Sequence, residues 1–186
     1  MEVERGTPMK VLVAYASRHG ATAGIAERIA AGLGAAGLAA EARSISEYFD
    51  PAPYDAFVIG GATYMAHVMK DVTAFIKSHE VLLSERPVWL FSSGPLGTDR
   101  VDAEGHDVLE SARPKEFEKL SGLVHTRGEQ VFFGAWDPDA PPGGLAERLM
   151  KLVPAAKDAL PAGDFRDWDA VDAWAAEIAA ALGGVR

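Results

Sequence analysis

The chain contains no cysteine. That absence excludes disulfides, thiolate metal sites, a cysteine nucleophile and a Cys-x-x-Cys redox pair, so redox chemistry here needs a borrowed cofactor. Long apolar runs are also missing: none approaches the roughly 20 residues of a membrane-spanning helix. Positive charge is in short supply. Lys and Arg number 18 against 27 Asp and Glu, a formal charge of −9 that argues against a nucleic-acid-binding surface. His106 and His125 stand apart from other ligand types at metal spacing, so no metal site is expected. The opening MEVERGTPMK carries charges but no apolar stretch of the kind a secretory signal requires. The expectation is a flexible N-terminal extension over 1–8, one domain over 9–186, and a cytoplasmic location.

What is present fits one ordinary globular domain: 186 residues, 48% hydrophobic and 24% charged, enough to bury a sizeable core. Residues 10–15 (KVLVAY) read as a strand buried on both faces. After the polar loop SRHGAT, residues 22–33 place Ile25, Ile29 and Leu33 on one helical face, with Gly34 and Gly37 as stops. Residues 38–44 are a weaker strand, 56–61 (AFVIGG) a third, 88–93 (VWLFSS) a fourth and 130–134 (QVFFG) a fifth. A helix is expected over 67–79, from Val68, Val72, Phe75 and Ile76, and a closing helix over 168–182. Trp168 and Trp174 in that last helix read as core. Strands alternating with helices imply a doubly wound α/β fold, a five-stranded parallel sheet of order 2-1-3-4-5 with helices on both faces. Two stretches, 94–113 and 137–163, break the rhythm after strand ends, where open α/β sheets bind ligands. The second contains an amphipathic piece with Leu145, Leu149, Leu152 and Val153. It reads as packing on the domain or a second subunit, with a membrane-surface helix as the alternative.

In such a sheet the first strand-to-helix turn is the natural anion site, because the helix N-terminus leaves amides free and carries about half a positive charge. Here that turn is Ser17-Arg18-His19-Gly20-Ala21-Thr22. Two hydroxyls bracket it, Gly20 permits positive φ or a close backbone approach, and Arg18 and His19 add charge suited to phosphate. The plainer alternative makes Ser17 or Thr22 a helix cap and Gly20 a turn residue. Rival nucleotide loops are missing: there is no G-x-x-x-x-G-K-[ST] and no G-x-G-x-x-G at this turn. A receiver domain would carry an acidic pair after strand one and an Asp after strand three, where Ser17-Arg18 and Gly60-Gly61 stand.

The run V-x-V-x-Y-x-S-x-x-G-x-T-x-x-x-A, from Val11 to Ala26, resembles the phosphate-loop pattern of flavodoxins. Gly60-Gly61-Ala62-Thr63-Tyr64 is similar to their second flavin-binding loop and Ser92-Ser93-Gly94-Pro95 to the third. The Gly134-Ala135 strand end and the closing D-W-x-x-V-x-x-W-A-x-x-I-A, from Asp167 to Ala179, resemble the flavodoxin-domain subfamily that includes menaquinone-dependent protoporphyrinogen IX dehydrogenases. The resemblance implies a flavodoxin-like fold with FMN as cofactor. It assigns the phosphate to Ser17, Arg18, His19, Gly20, Ala21 and Thr22. It puts Ala62, Thr63, Tyr64 and Met65 against one side of the isoalloxazine, and Ser93, Gly94 and Pro95 on another edge. The function it implies is electron transfer between flavin and a small organic or quinone-type substrate, with the catalytic residues unknown. The alternative is an electron carrier serving partner redox proteins, and a third reading is an interaction module without flavin. Arg18 and His19 depart from the small or acidic residues usual there, and the acidic 99–110 stretch lengthens the segment after strand four.

Three further side chains have two readings each. Tyr64 stacks on the flavin or packs its loop, His67 donates a proton near the flavin or caps the helix beginning there, and Trp136 lines the pocket or packs at its rim. The acidic runs at 99–110 and 164–172 read as solvated surface, and a homodimer is compatible with the pattern.

Overall fold

A computed structural model describes residues 7–139 and 161–183. The amphipathic piece at 145–153 and most of the 1–8 extension lie outside the described residues. Strand β1 (Lys10–Ala16) is the spine of the sheet, and its alternating side chains divide the core in two. Val11 and Val13 face one way, onto α1 (Ala21–Ala35) and the last helix, α6 (Trp168–Gly183), through Ile25, Ile29, Leu33, Val171, Trp174 and Ile178. Leu12 and Ala14 face the other way, onto α2 (Lys70–Ser78) and α5 (Phe117–Val124), through Val72, Ile76, Phe117 and Leu120. Each fully buried Leu, Ile or Phe contributes about 1.5–3 kcal/mol, so the apolar faces of both layers hold the sheet from either side.

The remaining strands are β2 (Ala39–Ser44), β3 (Ala56–Tyr64), β4 (His67–Val68), β5 (Val88–Ser93) and β6 (Gly128–Phe132). Their order is β2-β1-β3-β5-β6, all parallel, with β4 turning back antiparallel on β3. The five parallel strands reproduce the expected 2-1-3-4-5 topology. A separate two-stranded ribbon joins β7 (Ala135–Trp136) to β8 (Gly163–Asp164). Short helices α3 (Glu80–Ser84) and α4 (Val108–Ser111) complete the described elements. Among the described residues no helix is long and apolar enough to cross a membrane.

Several boundaries differ from the sequence expectation. Strand β3 runs three residues past Gly61 and makes a tight hairpin with β4 through Met65 and Ala66, both in left-handed backbone at φ 50° and 63°. Two central residues with positive φ are what a two-residue hairpin needs to match strand twist. Residues 67 and 68 are therefore strand, and the helix expected from 67 begins at Lys70. The fifth strand starts two residues early, and α3, α4 and α5 have no counterpart in the sequence reading.

Candidate functional site

Because β1, β3 and β5 are parallel and in register, with Ala16 beside Gly61 and Ala62 beside Ser93, the loops leaving their carboxyl ends start at one level. The glycines at 60 and 61 have no room for a side chain: a Cβ on Gly60 would sit 2.4 Å from Phe91, and one on Gly61 would sit 2.7 Å from Val72. Close packing thus brings the β3 and β5 loops to the N-terminus of α1.

That N-terminus is open. Gly20 is the N-cap in left-handed backbone, φ 83°, and no side chain caps the helix. Ser17 Oγ accepts the Gly20 N–H at 3.1 Å, stabilising the turn one step earlier. The capping alternative for Ser17 or Thr22 is thereby corrected: neither hydroxyl occupies the cap. Gly24 N–H donates to Gly20 O at 3.0 Å, while the amides of Ala21, Thr22 and Ala23 have no acceptor among the described residues. The first turn of α1 also holds no acidic residue.

Beside these amides lies a buried pair of hydroxyls. Thr22 Oγ1 and Ser93 Oγ are 2.8 Å apart, in residues only 1% and 3% exposed. One hydroxyl donates to the other, which leaves the pair with one proton that no other described side chain accepts. Thr63 Oγ1 is likewise buried without a partner, and Gly94 backs onto Thr63, where a Cβ would come to 3.1 Å. A buried polar group left unpaired costs about 1–3 kcal/mol. The cradle therefore offers donors in excess, the complement of a phosphate, whose oxygens mostly accept. The β5 loop is fixed from behind: Gly94 N–H donates to Phe132 O at 3.3 Å, and Pro95 O accepts the Gly134 N–H at 2.8 Å.

At the hairpin, the Arg18 guanidinium stands 5.1 Å from the Tyr64 ring centroid, within cation–π range. Tyr64 is 42% exposed and Met65, at the turn, 93% exposed. The structure thus gathers Ser17 to Thr22, Ala62 to Tyr64 and Ser93 to Pro95 at the carboxyl ends of three adjacent central strands, with Met65 at the hairpin tip.

A family model described as "Flavodoxin domain" matches residues 12–138. The chain belongs to the flavodoxin domain family. A sequence comparison with curated proteins finds no match. Among solved structures, the chain is similar to rubredoxin oxygen:oxidoreductase of Desulfovibrio gigas. That pair has a TM-score of 0.61 and 13% identity, over 96% of this chain and 37% of that one. A mutant flavodoxin of Pseudomonas aeruginosa gives 0.55 and 18%, covering 94% of this chain and 99% of that one. Two-electron reduced Megasphaera elsdenii flavodoxin gives 0.51 and 21%, over 80% and 99%. At these identities the likeness concerns the fold.

In this flavodoxin domain the donor-rich cradle has the chemistry of an anion site. A cavity of about 650 Å³ adjoins it, walled by His19 and Ala21 on one side and by Trp136, Asp164 and Arg166 on the other. The His19 and Trp136 rings meet edge-on at 5.9 Å, and Trp136 Nε1 is buried with no hydrogen-bond partner. Trp174 is core, 7% exposed, whereas Trp168 is only half-buried, with Arg28 and Arg166 over its ring at 6.0 and 4.5 Å.

The structure corrects the reading of His67 as a helix cap. It lies in β4, and its Nδ1 is 2.6 Å from Glu116 Oε1, while Val68 N–H donates to Glu116 Oε2 at 3.2 Å. Burial pushes the Glu116 carboxyl up, but the His67 contact and the backbone N–H groups outweigh it and hold it below the ordinary range. His106 is not apart from other ligand types. Its ring nitrogen and the carboxylates of Asp102 and Glu104 lie within 4.8 Å of one another. Asp102 Oδ1 already accepts the Glu104 and His106 N–H groups in a turn, which accounts for the grouping. The 164–172 run is not simply solvated: Asp164 pairs with Arg166 and Asp172 with Arg28, each at 2.6 Å. Arg166 and Glu116 escaped the sequence reading, because Arg166 meets Ala21 across 145 positions and Glu116 meets His67 across 49, separations that no local pattern records.

Proposed function

We propose that this chain binds FMN and transfers electrons between the flavin and a small organic or quinone-type substrate, protoporphyrinogen oxidation among the candidate reactions. The carrying observation is the cluster of free amides, spare hydroxyl proton and unpaired Thr63 hydroxyl at the start of α1. In this reading the phosphate is held by Ser17, Arg18, His19, Gly20, Ala21 and Thr22. Ala62, Thr63, Tyr64 and Met65 flank one side of the ring system, and Ser93, Gly94 and Pro95 lie at another edge. Residues 9–186 act as one cytoplasmic domain behind the 1–8 extension.

Bound flavin would supply one-electron and hydride chemistry, which a chain without cysteine must borrow from a cofactor. The chain's own part is binding and electrostatics. The helix dipole and Arg18 offset phosphate charge, and Arg18 and Tyr64 brace the hairpin wall. A second reading, an electron carrier for a partner protein, is favoured by the exposure of Tyr64 and Met65 at the hairpin.

Titration of the purified full chain with FMN, followed by flavin fluorescence, tests the binding claim. One FMN per chain is expected; unchanged flavin fluorescence at high protein concentration contradicts it. Flavin-loaded protein that passes electrons to a water-soluble quinone supports the substrate reading. Protein that exchanges electrons only with another redox protein supports the carrier.

A further inference from the structure

Arg166 is separated from Ala21 by 145 positions, yet its Nη1 donates to Ala21 O at 3.2 Å. Its Nε and Nη2 donate to the two oxygens of Asp164 at 2.8 and 2.6 Å, and its guanidinium lies 4.5 Å from the Trp168 ring centroid. The side chain is only 19% exposed. Helix α1 makes room for it at Gly24, where a Cβ would lie 2.6 Å from Nη1.

This placement runs against the usual electrostatics of a helix. The start of α1 already carries the positive end of the dipole, where a cation is unfavourable and an anion favourable. Here a guanidinium is built into that first turn, Arg18 stands in the preceding loop, and no acidic residue occupies the turn. Asp164 offsets part of the charge from the far side, through Nε and Nη2. Nη1 keeps a second N–H without a partner among the described residues, and Arg166 lines the same cavity as His19, Gly20 and Ala21. Stacking on Trp168 and the Asp164 fork hold the group rigidly, as an arrangement for recognising an anion requires.

We infer that Arg166 is a specificity-determining residue of the phosphate loop. It raises affinity for the phosphorylated flavin over the same flavin without phosphate, and Asp164 positions it. The inference rests on the proposed flavin binding. It needs no contact between Arg166 and the ring system, so its effect belongs to the phosphate alone.

The test compares FMN with riboflavin, which differs only by the phosphate, in fluorescence titrations of the full chain and three variants. Arg166→Met should weaken FMN binding about tenfold or more, the scale of a lost charge-assisted hydrogen bond, while riboflavin affinity stays within about twofold. Arg166→Lys, which retains the charge, should keep most of the preference. Asp164→Asn keeps the side-chain shape but loses one arm of the fork, so it should lower FMN affinity, by less than Arg166→Met, with riboflavin affinity within about twofold; a purely structural ribbon contact would weaken both ligands alike. An FMN-to-riboflavin ratio unmoved by Arg166→Met, or an equal loss of both ligands, overturns the role of Arg166 while leaving flavin binding intact. Wild-type chain that binds neither ligand overturns flavin binding and this inference together.

Discussion

At the scale of single residues, the site is defined by hydrogen-bond donors that the protein does not use itself. Thr22 and Ser93 share one bond and keep one proton to spare. Thr22→Val preserves shape and removes a hydroxyl; losing a hydrogen bond to a charged group costs about 1.5–3 kcal/mol, so FMN affinity should fall at least about tenfold by titration. Thermal unfolding of the flavin-free chain reports separately on the lost Thr22–Ser93 bond. A second residue-scale cost sits in the hairpin turn, where Ala66 adopts left-handed backbone without being glycine. Such a conformation costs about 1–2 kcal/mol per residue. Ala66→Gly should therefore raise stability by about 1 kcal/mol in chemical denaturation, and an unchanged midpoint would show that the turn is not strained. These positions also show what the sequence conceals. Ser17, Gly20 and Thr22 were readable as a loop because their spacing follows an apolar strand and precedes an apolar helix face. Arg166 was not, because it meets Ala21 only after the sheet is assembled.

At the scale of elements, the β3–β4 hairpin is tied to the segment before α5 through Glu116, which takes both the His67 ring and the Val68 N–H. Its carboxyl is held below the ordinary range, which model carboxyls place near 4.3. A depressed carboxyl contributes stability that is present above the ordinary value and lost as pH falls through the folded value. Protection of the Val68 amide, corrected for its intrinsic exchange rate, should accordingly fall as pH drops below the ordinary carboxylate range, and Glu116→Gln should remove that part of the acid response. The first helix makes its own prediction: Gly24→Ala places a methyl 2.6 Å from Arg166 Nη1, so the guanidinium must move. FMN affinity should drop as it does for Arg166→Met, without loss of helix stability, because Ala favours a helix interior by about 1 kcal/mol over Gly. Elements were legible where the apolar period is clean, as in 10–15, 88–93 and 168–182. The hairpin was missed because Met65-Ala66 lacks the Asn-Gly signature of its turn. Helix α5 was missed although Phe117, Leu120 and Val124 recur at helical spacing, since Pro114 and Gly122 blur its limits.

At the scale of the whole molecule, the fold follows from a buried parallel sheet between two apolar layers; the layering was legible from strand–helix alternation, and the order from the common doubly wound topology that five strands fit. The ribbon of β7 and β8 was not: two-residue strands carry no period, and their pairing spans residues 135–164. That ribbon walls the cavity beside the Ser17–Thr22 loop and carries the Asp164 that holds Arg166, so the unexpected element bears directly on the candidate site. The central claim is that the carboxyl end of this sheet binds a flavin through its phosphate. Parallel titrations of the full chain with FMN and with riboflavin test it most directly. The account predicts one FMN per chain and markedly weaker riboflavin, with the difference shrinking as salt screens the phosphate. Equal affinity for the two flavins, or binding of neither, would contradict it.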